Sequence, residues 1–301
     1  MGLAMSPVPI NPRRVFGVDF SAARDAGRRI WVCRGHPGAD GVRIESIDRL
    51  CDLPGGAVEL QPALRSLVTK VLESPRSAWG FDFPFSLPRT IAEALTPPVE
   101  GGWTRLLEAV ARLPGAGELR RRALEAGRGR HLWRRTDEEA ATGLSPYDRR
   151  IYGQTFHGLT GMLWPLRGMP EIAVLPFDPL PEPAAEKLPF NRAASGKAPH
   201  VYLMEVRPPA VLVALGYPPR GYRGSGEGQV AGRRRILRSL IDDGLVRPAA
   251  RGVRNLILDD GTGHALDAVL AAVGAWRGYR LYAHARLRDD PFYATEGFVY
   301  T

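Results

Sequence analysis

The chain contains few of the residues by which several common protein classes are recognised. Its 301 residues include only two cysteines, Cys33 and Cys51, too few for a disulfide framework or a four-cysteine zinc site. No uninterrupted apolar run approaches the ~18 residues that a transmembrane helix requires. Residues 1–12 have no basic region and carry prolines where a secretory signal would be apolar. We therefore expect a cytoplasmic protein, and its 44% of hydrophobic residues predicts a substantial core.

Lysine is also scarce, because only Lys70, Lys187 and Lys197 are lysines among 41 basic residues. The formal net charge is +9 and the sequence pI is about 10.0. Arginine presents a planar fork that suits phosphate, and a pI this high is typical of nucleic-acid-binding domains. GC-rich codon usage would produce the same excess of arginine, so charge alone leaves both explanations open. The arginines are clustered at 120–122, at 128–135 and at 233–235.

The first third of the chain predicts three strands, a helix and a fourth strand. Apolar segments at 15–20, 30–33 and 42–47 are separated by glycine-rich turns. Leucine and valine then recur at helical spacing from Leu60, and another apolar segment at 78–83 follows. A helical crossover before the fourth strand is typical of α/β folds.

The rest of the chain predicts a large insertion and a return to the same domain. Residues 89–200 are expected to be a mostly helical insertion that includes a proline-rich excursion at 176–189. A strand at Val201–Val206 and an alanine-rich helix at 264–276 follow. We expect residues 1–301 to form a single domain.

Two aspartates occur where strands should end. Gly-Val-Asp-Phe at 17–20 and Gly-Phe-Asp-Phe at 80–83 repeat one pattern, although aspartate is depleted in strands. If the two strands are parallel neighbours, Asp19 and Asp82 lie side by side at the edge where α/β sheets bind ligands. Two carboxylates so close need a shared proton or a divalent cation, and we favour the cation. The alternative is that each aspartate simply ends its strand.

Three further residues extend this acidic group. His264 and Asp267 are three apart, on one face of the last predicted helix; alternatively, Asp267 only favours the helix N-terminus. Glu205 ends the strand at Val201–Val206 and is a candidate metal or substrate ligand. An ion pair with Arg207, on the same predicted strand face, is the competing explanation.

The ordered set of motifs resembles the ribonuclease H-like fold and, more narrowly, is similar to the DUF429 family of predicted nucleases. The matching segments span most of the chain and are Gly17–Phe20, Gly80–Pro88, Glu205–Pro208, Leu266–Ala268 and Glu296–Phe298. The resemblance implies an α/β fold with a mixed five-stranded sheet flanked by helices, in which strands 1 and 4 are adjacent. The helical insertion after strand 4 is not part of a minimal core of this fold.

The resemblance also implies roles for the acids. Asp19, Asp82 and Asp267 correspond to catalytic carboxylates that bind divalent metal, with His264 and Glu205 as further candidate ligands. His264 resembles the His-x-x-Asp variant of some Holliday-junction resolvases, where Asp-x-x-Asp is commoner. Imidazole suits Mn²⁺ better than Mg²⁺.

Our first hypothesis is a metal-dependent phosphodiester hydrolase, a nuclease with two Mg²⁺ or Mn²⁺ ions about 3.5–4 Å apart. Asp19 would bridge the ions, and arginines would hold the nucleic acid; the candidates are Arg134, Arg135, Arg149, Arg150 and Arg207. A non-catalytic module that binds nucleic acid or a protein on the same fold is the second hypothesis. The third is an ATP-dependent phosphotransferase, for which Asp-Gly-Thr-Gly at 260–263 is a faint candidate phosphate loop.

Overall fold

The strands form one mixed sheet. A computed structural model describes residues 12–96, 102–180, 199–248 and 251–301. Within these ranges the strand order is β5-β6-β4-β1-β2-β3-β7, and β8 pairs with β6. The strands are β1 (Arg14–Asp19), β2 (Trp31–Pro37), β3 (Val42–Arg49), β4 (Ser77–Phe81), β5 (Ile172–Leu175), β6 (Val201–Val206), β7 (Val246–Pro248) and β8 (Val299–Tyr300).

Helices cover both faces of the sheet. None of those in the described ranges combines the length and the apolar character needed to cross a membrane. They are α1 (Ala26–Arg29), α2 (Leu60–Leu72), α3 (Arg89–Leu95), α4 (Gly102–Ala111), α5 (Ala116–Ala126), α6 (Arg135–Glu139), α7 (Tyr152–Gly158), α8 (Trp164–Leu166), α9 (Pro208–Ala214), α10 (Glu227–Asp242), α11 (Arg251–Asp259), α12 (His264–Leu281), α13 (His284–Asp289) and α14 (Tyr293–Glu296). A 3-10 turn at Leu50–Asp52 follows β3, and a π-helical turn at Leu159–Leu163 joins α7 to α8.

Side-chain alternation along the strands divides the core into two halves. Phe16 and Val18 of β1 pack on the face covered by α2 and the helices of the insertion. Val15 lies on the opposite face, which α9, α10 and α12 cover. Successive strand residues point to opposite faces, so Asp19 lies on the α12 face.

Strands β1 and β4 are adjacent and parallel, which is the arrangement required to bring Asp19 and Asp82 side by side. Their register places Gly17 opposite Gly80, and the amide of Asp82 continues the ladder by donating to the carbonyl of Val18 at 3.0 Å. The two Gly-x-Asp motifs therefore run in step and end at the same edge of the sheet.

Helix α12 crosses these two strands at very short range. A Cβ atom at position 17 would lie 2.0 Å from the carbonyl oxygen of Ala268, and one at position 80 would lie 2.3 Å from that of Ala271. Only glycine therefore allows the helix backbone this close to β1 and β4. The space that each glycine opens is filled by the helix and not by a ligand. This contact brings the first turn of α12 to the edge where Asp19 and Asp82 lie.

The structure agrees with the predicted α/β class and adds three strands to the predicted five. The extra strands β5, β7 and β8 have only four, three and two residues, too short for a strand pattern of their own. The middle of the chain is helical from α3 to α8, and β5 interrupts the insertion. Residues 181–189 of the predicted proline-rich excursion lie outside the described residues, as do residues 1–11 of the N-terminal segment.

Candidate metal centre

The two strand aspartates lie at the carboxyl edge of the sheet, where the topology places the first turn of α12 as well. Asp19 is the last residue of β1 and Asp82 directly follows β4. Asp19 is only 5% exposed. Burial raises its pKa to about 7; contact with His264 opposes the rise, and the negative charges of Asp267 and Asp82 add to it.

His264 begins α12 and faces Asp19. Its Nδ1 atom lies 2.9 Å from Oδ2 of Asp19, and its side chain is partly open to solvent. The contact does not have hydrogen-bond angles, so it is an ion pair when the imidazole is protonated. Contact with Asp19 raises the pKa of His264 above its ordinary value, against the opposing effect of burial. A metal cation that binds Asp19 and His264 can displace the proton that this pair holds.

Asp267 lies one turn further along α12 and is fully buried. The hydroxyl of Tyr222 donates to its Oδ1 at 2.7 Å, and a terminal guanidinium nitrogen of Arg223 contacts its Oδ2 at 2.5 Å. Burial raises the pKa of Asp267 to about 6, and Arg223 limits that rise. A buried carboxylate with these two donors has one defined orientation.

The segment that carries Tyr222 and Arg223 is held by a buried arginine of α10. Arg233 donates to the backbone carbonyls of Tyr222 and Gly224 at 2.7 and 2.8 Å, and also to that of Leu258. Arg233 belongs to the arginine cluster at 233–235 that the high net charge suggested could contact a polyanion, but its side chain is 1% exposed. Its guanidinium satisfies buried carbonyl groups and does not contact an external polyanion.

Asp82 has an arginine partner of its own. A guanidinium nitrogen of Arg207 lies 3.6 Å from its Oδ1, and that oxygen accepts no hydrogen bond from the described residues. Burial raises the pKa of Asp82, and the charges of Arg207 and Arg223 oppose the rise. Asp82 thus presents a buried oxygen with unused acceptor capacity beside the other acids.

Asp19, His264 and Asp267 can together hold one metal ion. Each offers a ligand atom, and these atoms lie within 4.8 Å of one another. Carboxylate oxygens and an imidazole nitrogen are ligands that Mn²⁺ and Mg²⁺ accept, the nitrogen being better suited to Mn²⁺. Asp82 is outside this group but close enough for its charge to raise the pKa of Asp19.

Glu205, the fourth predicted ligand, belongs to a separate buried network. Both of its oxygens contact the guanidinium of Arg134, at 2.5 and 2.7 Å, and the amide of Phe85 donates to it at 2.8 Å. Arg134 also pairs with Asp137 at 2.8 Å, and both Glu205 and Arg134 are fully buried. The prediction that Arg134 holds nucleic acid is therefore wrong. Its guanidinium group pairs with Glu205 and so attaches the insertion to β6. Glu205 is not in the metal-binding group.

The predicted pair between Glu205 and Arg207 does not form because the strand ends between them. β6 stops at Val206, so strand alternation no longer applies at Arg207, which turns into the start of α9 and reaches Asp82. Arg207 is consequently at the site, although its contact is with a carboxylate.

The remaining predicted phosphate ligands lie at the surface. Arg135 pairs with Glu139 at 2.9 Å, and Arg150 pairs with Asp148 at the same distance. Arg149 is exposed and forms no ion pair with the residues that the structure describes. It precedes α7, whose Gln154 donates to the carbonyl of Phe20 at 2.7 Å.

Tyr222 and Arg223 are the site residues that sequence reasoning missed. They occupy the glycine-rich stretch 221–228, which is typical of a loop without defined contacts. The available signal was an aromatic and a cationic residue placed together inside that stretch.

Comparison of the chain with protein-family models, with curated proteins and with solved structures finds no match.

Proposed function

We propose that this chain is a cytoplasmic, metal-dependent phosphodiester hydrolase with a ribonuclease H-like core. The observation that carries the proposal is the convergence of Asp19, His264 and Asp267, from opposite ends of the chain, on ligand atoms within 4.8 Å. A series of five strands, β3-β2-β1-β4-β6, has β1 and β4 as neighbours. This arrangement supports the resemblance to the DUF429 family, which implies adjacent strands 1 and 4.

The donor set fits a divalent cation. Burial raises the pKa of Asp19 to about 7 and that of Asp267 to about 6, so the ionised carboxylates are costly until a cation compensates them. The unused oxygen of Asp82 offers a further acceptor beside them. Mg²⁺ or Mn²⁺ bound here would act as a Lewis acid, lowering the pKa of water and compensating charge on a phosphodiester.

The side chains around this group have distinct tasks in the proposed reaction. Asp19 and His264 supply ligand atoms from the sheet and the helix, and Tyr222 fixes the orientation of Asp267. Arg223 is about half exposed, and Arg207 is mostly covered. Their positive charges offset the repulsion that three acids would exert on a phosphate. A shallow cavity of about 540 Å³ is lined by Trp31 and Arg49 among others, but not by the acids of the site; Trp31 is the β2 partner of Asp19.

Nucleic acid is the proposed substrate. The chain carries a net charge of +9, and the exposed arginines without a described ion pair include Arg128, Arg130 and Arg149. Such cations attract a phosphate backbone without reading its sequence.

The test is a cleavage assay on labelled single-stranded, duplex and branched DNA and RNA with Mn²⁺, with Mg²⁺ or with EDTA. We expect cleavage in Mn²⁺, none in EDTA, and a rate reduced at least ~10³-fold by Asp19→Asn because the ligand set is broken. The matched control is Asp25→Asn, which changes a partly exposed aspartate that pairs with Arg29 and is not in the metal-binding group. Absence of cleavage on every substrate, or equal cleavage by wild type and Asp19→Asn, would refute the proposal.

A non-catalytic binding module is the second candidate, favoured by one observation. Arg207, Arg223 and protonated His264 contact the three acids, so the group is formally neutral without a metal. A module of this kind would keep its affinity for nucleic acid in EDTA and after Asp19→Asn, whereas binding by the hydrolase would respond to both.

The phosphotransferase hypothesis has less support. In the 260–263 loop the carboxylate of Asp260 accepts hydrogen bonds from the amides of Thr262 and Ala265 at 3.1 and 2.8 Å. A phosphate-binding loop would use such amides to bind its ligand. Here they already donate to Asp260, which is why this hypothesis has less support.

A further inference from the structure

The three acids of the centre are not equivalent in what they contact. Asp19 faces His264, whereas Asp82 and Asp267 each face a guanidinium group. A site with two divalent ions would need Asp82 and Asp267 to bind one ion each, with Asp19 between them. Both of these carboxylates already have a cationic partner in this chain.

The two arginines are built into the site. Arg223 lies 2.5 Å from Asp267 and over the ring of Tyr222, with 5.6 Å between guanidinium carbon and ring centroid. Buried Arg233 fixes the backbone on both sides of Arg223 through the carbonyls of Tyr222 and Gly224. Arg207 is only 12% exposed in its side chain, and its buried Nε has no described hydrogen-bond partner.

Formal charge limits how many ions this group can accept. Three carboxylates, two guanidinium groups and one divalent cation leave a single positive charge when His264 is neutral, and one phosphodiester neutralises it. A second divalent cation would leave three positive charges in a buried space, where like charges repel strongly. The described ligand atoms also form only one group compact enough for an ion.

We infer that Arg207 and Arg223 take the place of a second divalent cation, so that the centre holds one metal ion and the two guanidinium groups face the substrate phosphate. The inference rests on the proposed function and specifies its site. Guanidinium groups bind phosphate through paired N–H donors, so the same side chains can neutralise the acids first and contact the phosphate afterwards. Arg223, which is half exposed, is the more accessible of the two.

Arg223 should therefore have opposite effects on the two ligands. It competes with the metal for Asp267, so Arg223→Gln is expected to bind Mn²⁺ about tenfold more tightly. It also supplies a phosphate contact, so the same variant is expected to bind an oligothymidylate, with Ca²⁺ in place of Mn²⁺, about tenfold more weakly. A role confined to folding would weaken both.

The deciding experiment counts bound ions by isothermal titration and by electron paramagnetic resonance of free Mn²⁺. We expect one Mn²⁺ in wild type and a second in the double variant Arg207→Gln/Arg223→Gln. Arg234→Gln, which removes an exposed arginine of α10, is the matched control and should bind one. Circular dichroism confirms that each variant is folded. The number of Mn²⁺ ions that wild type binds tests the inference independently of any variant.

The outcomes separate this inference from the proposed function. Two Mn²⁺ ions in wild type would overturn the inference and leave the hydrolase proposal in place. No Mn²⁺ in wild type would overturn both. One ion in both wild type and double variant, with unchanged affinity, would show that the arginines do not occupy the second position and would also overturn the inference.

Discussion

Gly17 of β1 lies directly against Ala268 of α12, so that a Cβ at position 17 would be 2.0 Å from the carbonyl oxygen of Ala268. Gly80 has the same relationship to Ala271, at 2.3 Å. The contacts are with helix backbone, which cannot move aside as a flexible side chain can. The glycines thus set the distance between helix and sheet, and that distance brings Asp267 to Asp19.

Gly17→Ala is therefore expected to cost about 3 kcal/mol in the free energy of unfolding, through overpacking of a close-packed core. Any folded fraction should bind Mn²⁺ weakly, because α12 is displaced. The matched control is Gly117→Ala in α5, where a Cβ meets nothing within 4 Å and alanine favours the helix. Chemical denaturation compares the two; equal stability would mean that the helix does not approach β1 this closely.

The stability of the metal-free protein should depend on Asp19 and pH. Burial raises the pKa of Asp19 to about 7 from an ordinary value of 3.8, so the folded state retains a proton that the unfolded state has lost. Stability from this group therefore falls as pH rises through the interval between those values. His264 acts in the same direction, because its raised pKa gives stability that is lost as pH rises through the folded-state value.

As pH rises within this window, we expect the free energy of unfolding of Asp19→Asn to increase relative to that of wild type, by up to ~1.4 kcal/mol for each pH unit. The measurement is the free energy of unfolding from pH 5 to pH 8 in EDTA for both proteins. Buried His284, whose pKa is lowered to about 4, affects both equally and cancels in the difference. A difference that stays constant over this range would contradict the assignment of the raised pKa to Asp19.

Arg134 should matter for folding and not for metal binding. Arg134→Met leaves the buried carboxylate of Glu205 without its partner, which is expected to cost about 3–5 kcal/mol. Arg135→Met removes the neighbouring arginine, whose pair with Glu139 is near the surface, and should change the stability far less than Arg134→Met does. Urea denaturation measures both, and similar losses for the two variants would argue against the buried network.

Arg149 is expected to contact the nucleic-acid backbone. Arg149→Ala should weaken binding uniformly across sequences and lower the slope of log affinity against log salt by about 1. Arg121→Ala is the control, because Arg121 is already engaged by Glu118 and Glu125. Fluorescence anisotropy at several salt concentrations makes the comparison, and an unchanged slope for Arg149→Ala would place the binding surface elsewhere.

The strands and helices that could be predicted are those whose own hydrophobic residues have a strand-like or helical spacing. β6 is found at the predicted Val201–Val206, and α12 begins at the predicted His264. β8 has two residues, and its pairing with Glu205 and Val206 is what makes it a strand. A segment of this kind has no local signal, since its hydrogen bonds are all with residues far away in sequence.

The site residues that belong to recognisable sequence motifs could be predicted. Those whose positions depend on tertiary contacts could not. The two Gly-x-Asp motifs indicated Asp19 and Asp82, and His-x-x-Asp indicated Asp267. Arg223 could not be found in this way, because its position depends on hydrogen bonds from buried Arg233 to backbone carbonyls. Arg233 itself is one of three consecutive arginines, and sequence does not distinguish the buried one from its neighbours.

The position of α12 also has a consequence for the order in which the molecule becomes competent. Asp19 is made before its partners His264 and Asp267, which follow some 240 residues later in the chain. A nascent chain that ends before this helix carries two acids at a strand edge and lacks the rest of the ion-binding group. Capture of Mn²⁺ would thus report that α12 has docked. If the proposed function is correct, a chain that ends before this helix would not cleave nucleic acid during translation.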